Sequence, residues 1–236
     1  MFDLDNVKQC CFVHSETILS SCFAVKDQFN LIFSNSNFIK EKISKVWKRE
    51  SLVVYPLPDN SCIAQQKQEF AQYITFFNPV TVKGAHIVSE LIQRNPDRYF
   101  MVVLGWALRN HFSDISLFSK KTLIIPPQIN VSEIYSYSRL VIVPSQWEEP
   151  FGRVVFEAAY NKLPVCISAV GGMKEFFSNN GELVTDYQNI DAWQAAIEKL
   201  DDSNYYQKCI QCSSQLIHQY SLEEEYKTLV SALEAL

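Results

Sequence analysis

PSQWEEPFGRVVFE, residues 144–157, joins an apolar run at 140–143 (LVIV) to a stretch at 151–160 whose apolar positions recur at a helical period. A continuous apolar run reads as a strand buried on both faces, so the segment predicts strand, loop and helix in succession. Glu149 and Glu157 are eight positions apart, with Pro150 and Gly152 between them. With a helix starting near Gly152, Glu157 lies about one and a half turns inside it, ~7–8 Å along the axis, while Glu149 stays in the loop. Two carboxylates so spaced can accept hydrogen bonds from hydroxyls at opposite ends of one polyhydroxylated ligand. The helix N-terminus between them offers free N–H groups and partial positive charge to a phosphate. The alternative for each carboxylate is ordinary: a solvated loop residue at Glu149, and a helix residue paired to a lysine at Glu157.

The same alternation extends in both directions. Upstream come apolar runs at 10–13, 30–33 and 52–55, with helical spacing at 18–25 and 38–47 between them. From residue 73 strands are expected at 74–77, 99–104, 122–125, 140–143, 165–167 and 183–184, and helices through 87–92, at 132–138, 151–160, 190–200 and 203–236, with a short one after the Gly171-Gly172 turn. Apolar strands alternating with amphipathic helices indicate a doubly wound, parallel α/β sheet. The expected organisation is a partial α/β domain at 1–60, a polar linker at 61–70, a Rossmann-like domain at 71–215 and a C-terminal helix at 216–236. In such sheets ligands bind at the carboxyl ends of strands. Turns at 78–84, 148–152 and 168–172 qualify. The chain has only six glycines, at 84, 105, 152, 171, 172 and 181. That scarcity, against a typical ~7%, suggests positions where the backbone needs φ > 0 or close approach. Neither G-x-G-x-x-G after the first strand nor G-x-x-x-x-G-K-[ST] occurs, so dinucleotide and P-loop fingerprints are absent.

Composition removes several classes. Of 236 residues 47% are hydrophobic and 20% charged, with a formal net charge of −5. These values fit a folded, water-soluble protein and carry no basic stripe for nucleic acid. No apolar run approaches the ~20 residues of a bilayer crossing, and the acidic N-terminus lacks the form of a secretory signal. Seven irregularly spaced cysteines match neither a disulfide framework nor a zinc site and read as reduced thiols. A cytoplasmic protein is expected, with a peripheral position at a membrane left open.

P-S-x-W-E-E-P-F-G-R-V-V-x-E-A (144–158), L-P-V-C-I-S-A-V-G-G-M-K-E (163–175), N-G-E-L-V (180–184) and I-T-F-F-N-P-V-T-V-K-G (74–84) together resemble the carboxy-terminal half of family 4 glycosyltransferases of the GT-B fold. F-S-N-S-N-F-I-K (33–40) and V-V-Y-P-L-P-D (53–59) resemble the end of that family's acceptor-side domain. The resemblance implies a retaining, metal-independent transferase that moves a sugar from a UDP- or GDP-linked donor to a hydroxyl acceptor such as a glycan or lipid-linked saccharide. Glu149 would bind hydroxyls of the transferred sugar and Glu157 the ribose. Backbone N–H groups at Phe151, Gly152 and Arg153 would hold sugar and diphosphate, with Gly171 and Gly172 also on the donor side. Lys83 would neutralise the diphosphate, Ile129 would pack the base, and His14 would face the donor sugar as a catalytic residue. No cofactor is implied, and the single D-x-D, Asp3-Leu4-Asp5, has no strand before it to carry a metal.

The pattern departs from the family at four points. Phe77 stands where an arginine is common, leaving phosphate charge to Lys83 unless Arg153 turns toward it. Asn161-Lys162 replaces a helix-ending glycine, and Asn161 is expected to take the left-handed conformation. Pro126-Pro127 occupies a stretch that is often glycine-containing. The 1–60 segment is shorter than the family's first domain, which implies a partner subunit, self-association or a truncated copy. Besides a transferase, the residues admit a nucleotide-sugar-binding or regulatory subunit. A phosphorylase-like enzyme is disfavoured, since no lysine has a recognisable pyridoxal phosphate context.

Overall fold

A computed structural model describes residues 7–105 and 121–236. The chain divides into two compact units, residues 7–57 with 220–236, and residues 58–219. The Asp3-Leu4-Asp5 pair lies outside the described residues.

The smaller unit begins with β1 (Cys10–Val13), α1 (Glu16–Ser21), a 3-10 turn at Phe23–Gln28, β2 (Leu31–Ser34), α2 (Asn37–Trp47) and the short β3 (Leu52–Val53). The strands are parallel in the order β1-β2-β3. Ser36 caps α2 by accepting from the Ile39 N–H at 3.1 Å, the role its place in a Ser-Asn-Ser cluster suggests. Val13, Ile32, Ile39, Ile43 and Trp47 form the core between helix and sheet. The expected strand at 52–55 stops two residues early. Pro56 has no N–H to continue the ladder, and the Tyr55 N–H is taken by a side chain described below.

The larger unit holds β4 (Tyr73–Phe77), α3 (Ala85–Arg94), β5 (Phe100–Val103), β6 (Thr122–Ile125), α4 (Ser132–Tyr137), β7 (Ser138–Val143), α5 (Arg153–Tyr160), β8 (Val165–Ser168), a 3-10 turn at Gly171–Phe176, β9 (Gly181–Val184), α6 (Ile190–Lys199) and α7 (Ser203–Ile217). All six strands are parallel, in the order β6-β5-β4-β7-β8-β9. This is the doubly wound Rossmann order, whose direction reverses between β4 and β7. Successive side chains of a strand face opposite sides of the sheet. Ile74, Phe76, Phe100, Val102, Leu140 and Ile142 therefore pack with α3 and α6, while Met101 and Val103 pack with Ile134 of α4. Continuous apolar strands thus fill two cores at once.

Residues 61–70, expected as a linker, belong to this unit. The Ala64 N–H donates to Asn161 Oδ1 at 2.8 Å, and the Gln68 N–H to the Ser136 carbonyl at 3.1 Å. A second expectation is corrected at the end of α5. Asn161 has φ −88° and Lys162 takes the left-handed conformation, φ 54°. The Lys162 N–H reaches the Ala159 carbonyl and the Leu163 N–H the Ala158 carbonyl, each at 2.9 Å. That pair of bonds is the Schellman motif, with lysine where glycine is usual. Asn161 is held at negative φ by other duties: its amide donates to the Glu157 and Cys62 carbonyls at 2.8 and 3.0 Å while accepting from Ala64.

The chain ends in α8 (Leu222–Glu234), which is counted with the smaller unit. Glu225 Oε2 accepts from the Tyr55 N–H at 2.7 Å, and the Tyr55 and Tyr220 rings meet edge-on at 5.4 Å.

Candidate active site

Two loops leave the sheet at its switch point, one after β4 and one after β7. After β4 the chain turns at Asn78 (φ 57°), passes through a 3-10 turn at Thr81–Lys83 and enters α3 through Gly84 (φ 82°). After β7 it runs through Pro144 to Pro150 and enters α5 through Gly152 (φ 86°). The loops are pressed together. A Cβ on Gly84 would stand 2.1 Å from the Pro144 carbonyl oxygen, so no other residue fits. The Gln146 N–H donates to the Val82 carbonyl at 2.8 Å and fastens one loop to the other. This contact brings Lys83 to Glu149.

Between the loops lies a cavity of about 190 Å³, walled by Phe77, Val143 and Val154 and carrying Asn78, Lys83, Glu149 and Arg153. Lys83 Nζ contacts Glu149 Oε1, and Ser145 Oγ donates to the same oxygen. Glu149 is only 7% exposed. The Trp147 ring covers the ammonium, its centroid 5.2 Å from Nζ. The Asn78 Oδ1 is buried without a hydrogen-bond partner.

Glu157 is the fifth residue of α5 and is also buried. Tyr135 Oη donates to its Oε2 at 2.7 Å, and Arg153 Nε to its Oε1 at 2.6 Å. Burial, then the neighbouring Glu157 charge, pushes the Tyr135 phenol well above its ordinary value, so it remains a hydrogen-bond donor. The ordinary alternative named a lysine for Glu157; the partners are an arginine one turn back and a tyrosine from α4. Gly152, the N-cap of α5, supplies no side-chain cap, so the first amides of that helix are left for another acceptor.

The remaining expected residues divide. The Phe151 ring is buried against Phe176, centroids 4.6 Å apart, and anchors the loop. Gly171 and Gly172 lie under the Glu149 loop: the Gly172 N–H donates to the Glu149 carbonyl at 2.6 Å, and a Cβ there would meet the Pro150 carbonyl oxygen at 2.3 Å. Their place is to shape the loop from beneath. Ile129 is fully exposed and lines no part of the cavity. His14 is exposed at the carboxyl end of β1, in the smaller unit, where its carbonyl accepts from Asn35 Nδ2 at 3.2 Å. Tyr135, Ser145 and Trp147 escaped sequence reasoning. Ser145 and Trp147 stand within the quoted motif and could have been found there, whereas nothing around Tyr135 marks it.

All seven cysteines are free thiols. Among the described residues no group of three or more His, Cys, Asp or Glu could hold a metal, and no helix is long and apolar enough to cross a membrane.

Acidic side chains thus flank an uncapped helix terminus at the switch point of a Rossmann-ordered sheet, the place where such sheets bind ligands. Residues 64–215 match the family described as glycosyl transferases group 1, and the chain belongs to that family. It is 29% identical over 142 residues to spore coat protein SA of Bacillus subtilis, an alignment covering 52% of this chain and 37% of that protein. Over 111 residues it is 31% identical to sucrose-phosphate synthase 1 of Arabidopsis thaliana, covering 45% of this chain and 11% of that one. The chain thus spans less than half the length of the curated relatives it matches. In fold it is similar to HepE of Anabaena, solved in complex with UDP and glucose, with a TM-score of 0.82, 18% identity, and coverage of 97% of this chain and 72% of that one. The fold is accordingly that of the GT-B glycosyltransferases.

Proposed function

We propose that this chain acts as a retaining, metal-independent family 4 glycosyltransferase, moving a sugar from a nucleoside diphosphate donor to a hydroxyl of a glycan or lipid-linked saccharide. The observation that carries the reading is the placement of Lys83, Glu149 and the α5 N-terminus around one cavity at the switch point, with Glu157 one turn further along α5 and bonded to Arg153 of the cavity wall. The HepE complex with UDP and glucose supports a nucleotide sugar as donor.

In this reading the diphosphate sits on the α5 amides, Glu149 receives hydroxyls of the sugar, and Glu157 receives the ribose. The bond from the anomeric carbon to phosphate breaks as the acceptor oxygen forms its own bond on the same face. The acceptor's proton passes to the departing phosphate oxygen. Lys83, Arg153 and the helix terminus stabilise the charge that grows there. No side chain needs to attack the anomeric carbon.

Lys83→Ala tests the assignment. Losing one such preorganised charge contact costs about 100-fold or more in turnover. Release of nucleoside diphosphate from UDP- and GDP-sugars should fall accordingly while the circular dichroism spectrum is retained. A fully active Lys83→Ala protein overturns the phosphate role, and nucleotide-sugar binding with no turnover in wild type would identify a binding subunit instead.

A further inference from the structure

The two acidic residues that flank the α5 N-terminus are held in different ways. Glu157 is fixed by the buried hydroxyl of Tyr135 and by Arg153 from its own helix. Glu149 has only Lys83 as its counter-charge among the described residues, a cation that a diphosphate would also claim, whereas Glu157 keeps the Tyr135 hydroxyl if Arg153 turns away. Lys83 Nζ and Ser145 Oγ both meet Glu149 Oε1, and among the described residues no group hydrogen-bonds to Oε2. The Lys83 side chain is 25% exposed and that of Glu149 is 9% exposed, so water replaces little of what the pair supplies.

A diphosphate entering this cavity therefore competes with Glu149 for Lys83. When the ammonium turns to phosphate, a carboxylate with little water around it loses its counter-charge, and stranding a buried charge is costly. A sugar carried on the diphosphate brings hydroxyl donors to Oε2 and compensates the loss. A bare nucleoside diphosphate brings none.

Building on the nucleotide-sugar reading of the cavity, we infer that the Lys83–Glu149 pair is the element that makes the site prefer nucleotide sugar over the nucleoside diphosphate left after transfer. Ser145 stays on Oε1 throughout and keeps the carboxylate aimed while its partner changes. Once the sugar has gone, Glu149 recovers Lys83, the diphosphate loses a cation, and product leaves. The same pair that serves donor binding thus opposes product retention.

Titration calorimetry on the full chain tests this with UDP against UDP-glucose and GDP against GDP-mannose. Wild type should bind the nucleotide sugar more tightly than its own diphosphate. Glu149→Gln keeps the shape and removes the charge, freeing Lys83. It should bind the bare diphosphate about tenfold more tightly than wild type, a gain of about 1.4 kcal/mol, and the nucleotide sugar no more tightly. Glu149→Asp, which keeps the charge but shortens the reach to Lys83, should move the same way by less and serves if the glutamine variant does not fold. Unchanged or weaker diphosphate binding in these variants, or a wild type that prefers the bare diphosphate, overturns the inference alone. A wild type that binds none of the four ligands overturns the nucleotide-sugar reading and the inference with it.

Discussion

Replacing Tyr135 by phenylalanine removes a single oxygen from the interior of the larger unit. The ring stays where it is, 5.4 Å from Phe77 between centroids, and no cavity opens. What is lost is the 2.7 Å hydrogen bond to Glu157 Oε2. Glu157 is 6% exposed, so water cannot replace the donor, and Arg153 already serves the other oxygen. A hydrogen bond to a charged group contributes about 1.5–3 kcal/mol net. For a domain of this size each kcal/mol shifts the melting temperature by about 2–4 °C, so a loss of about 2 kcal/mol lowers Tm by about 4–8 °C. Differential scanning calorimetry at neutral pH without ligand reads the shift directly. Tyr137→Phe is the matched control, since that side chain is partly exposed and its loss should stay within about 0.5 kcal/mol. A Tyr135→Phe protein melting within about 1 °C of this control would refute the claim that Tyr135 secures Glu157.

At the end of α5, Lys162 bears the strain of a left-handed backbone that glycine adopts freely. Lys162→Gly keeps both Schellman bonds and should stabilise the protein by about 0.5–1 kcal/mol, read as a higher urea midpoint; a lower midpoint would contradict the strain argument. Alkaline pH should act in the opposite direction. Burial and the neighbouring Glu157 push the Cys62 thiol up from 9.0 to about 11, and the Tyr135 phenol is raised above 10.0. Both native values lie above the unfolded ones, so the native state binds more protons between them. The stability they contribute is complete below pH about 9 and is lost as pH climbs through the native values. The urea midpoint should hold steady to about pH 8.5 and then decline, more steeply above about pH 10; a flat profile to pH 11 would count against it.

Much of the architecture was legible because its causes are local. FMVV in β5 and the LVIV of β7 are apolar at every position, short and rich in β-branched residues, as a strand buried on both faces is. Ser36 before an amphipathic stretch marked the start of α2, and the Glu149–Glu157 spacing placed one carboxylate in a loop and the other on a helix. Local signals also misled. The polar, turn-rich stretch at 61–70 has a linker's composition, yet its N–H groups are satisfied by Asn161 and Ser136. Asn161 has a helix-ending residue's chemistry, yet that same tie keeps its φ negative and passes the strained position to Lys162. Gly171 and Gly172 were rightly suspected of close approach, but what approaches is the Glu149 loop itself.

The amino-acid sequence by itself determined the alternation of strand and helix that marks a doubly wound α/β sheet, and two carboxylates astride one helix terminus, because each depends on residues within a turn or two of one another. Only the tertiary structure decided who holds those carboxylates. Lys83 meets Glu149 across 66 positions and Tyr135 meets Glu157 across 22. Such partners are set by which strands lie side by side: β4 and β7 are hydrogen-bonded neighbours though far apart in the chain, and a glycine at 84 lets their loops touch. Contacts of that kind follow from the packing of whole layers and leave no mark in the spacing of the residues that make them.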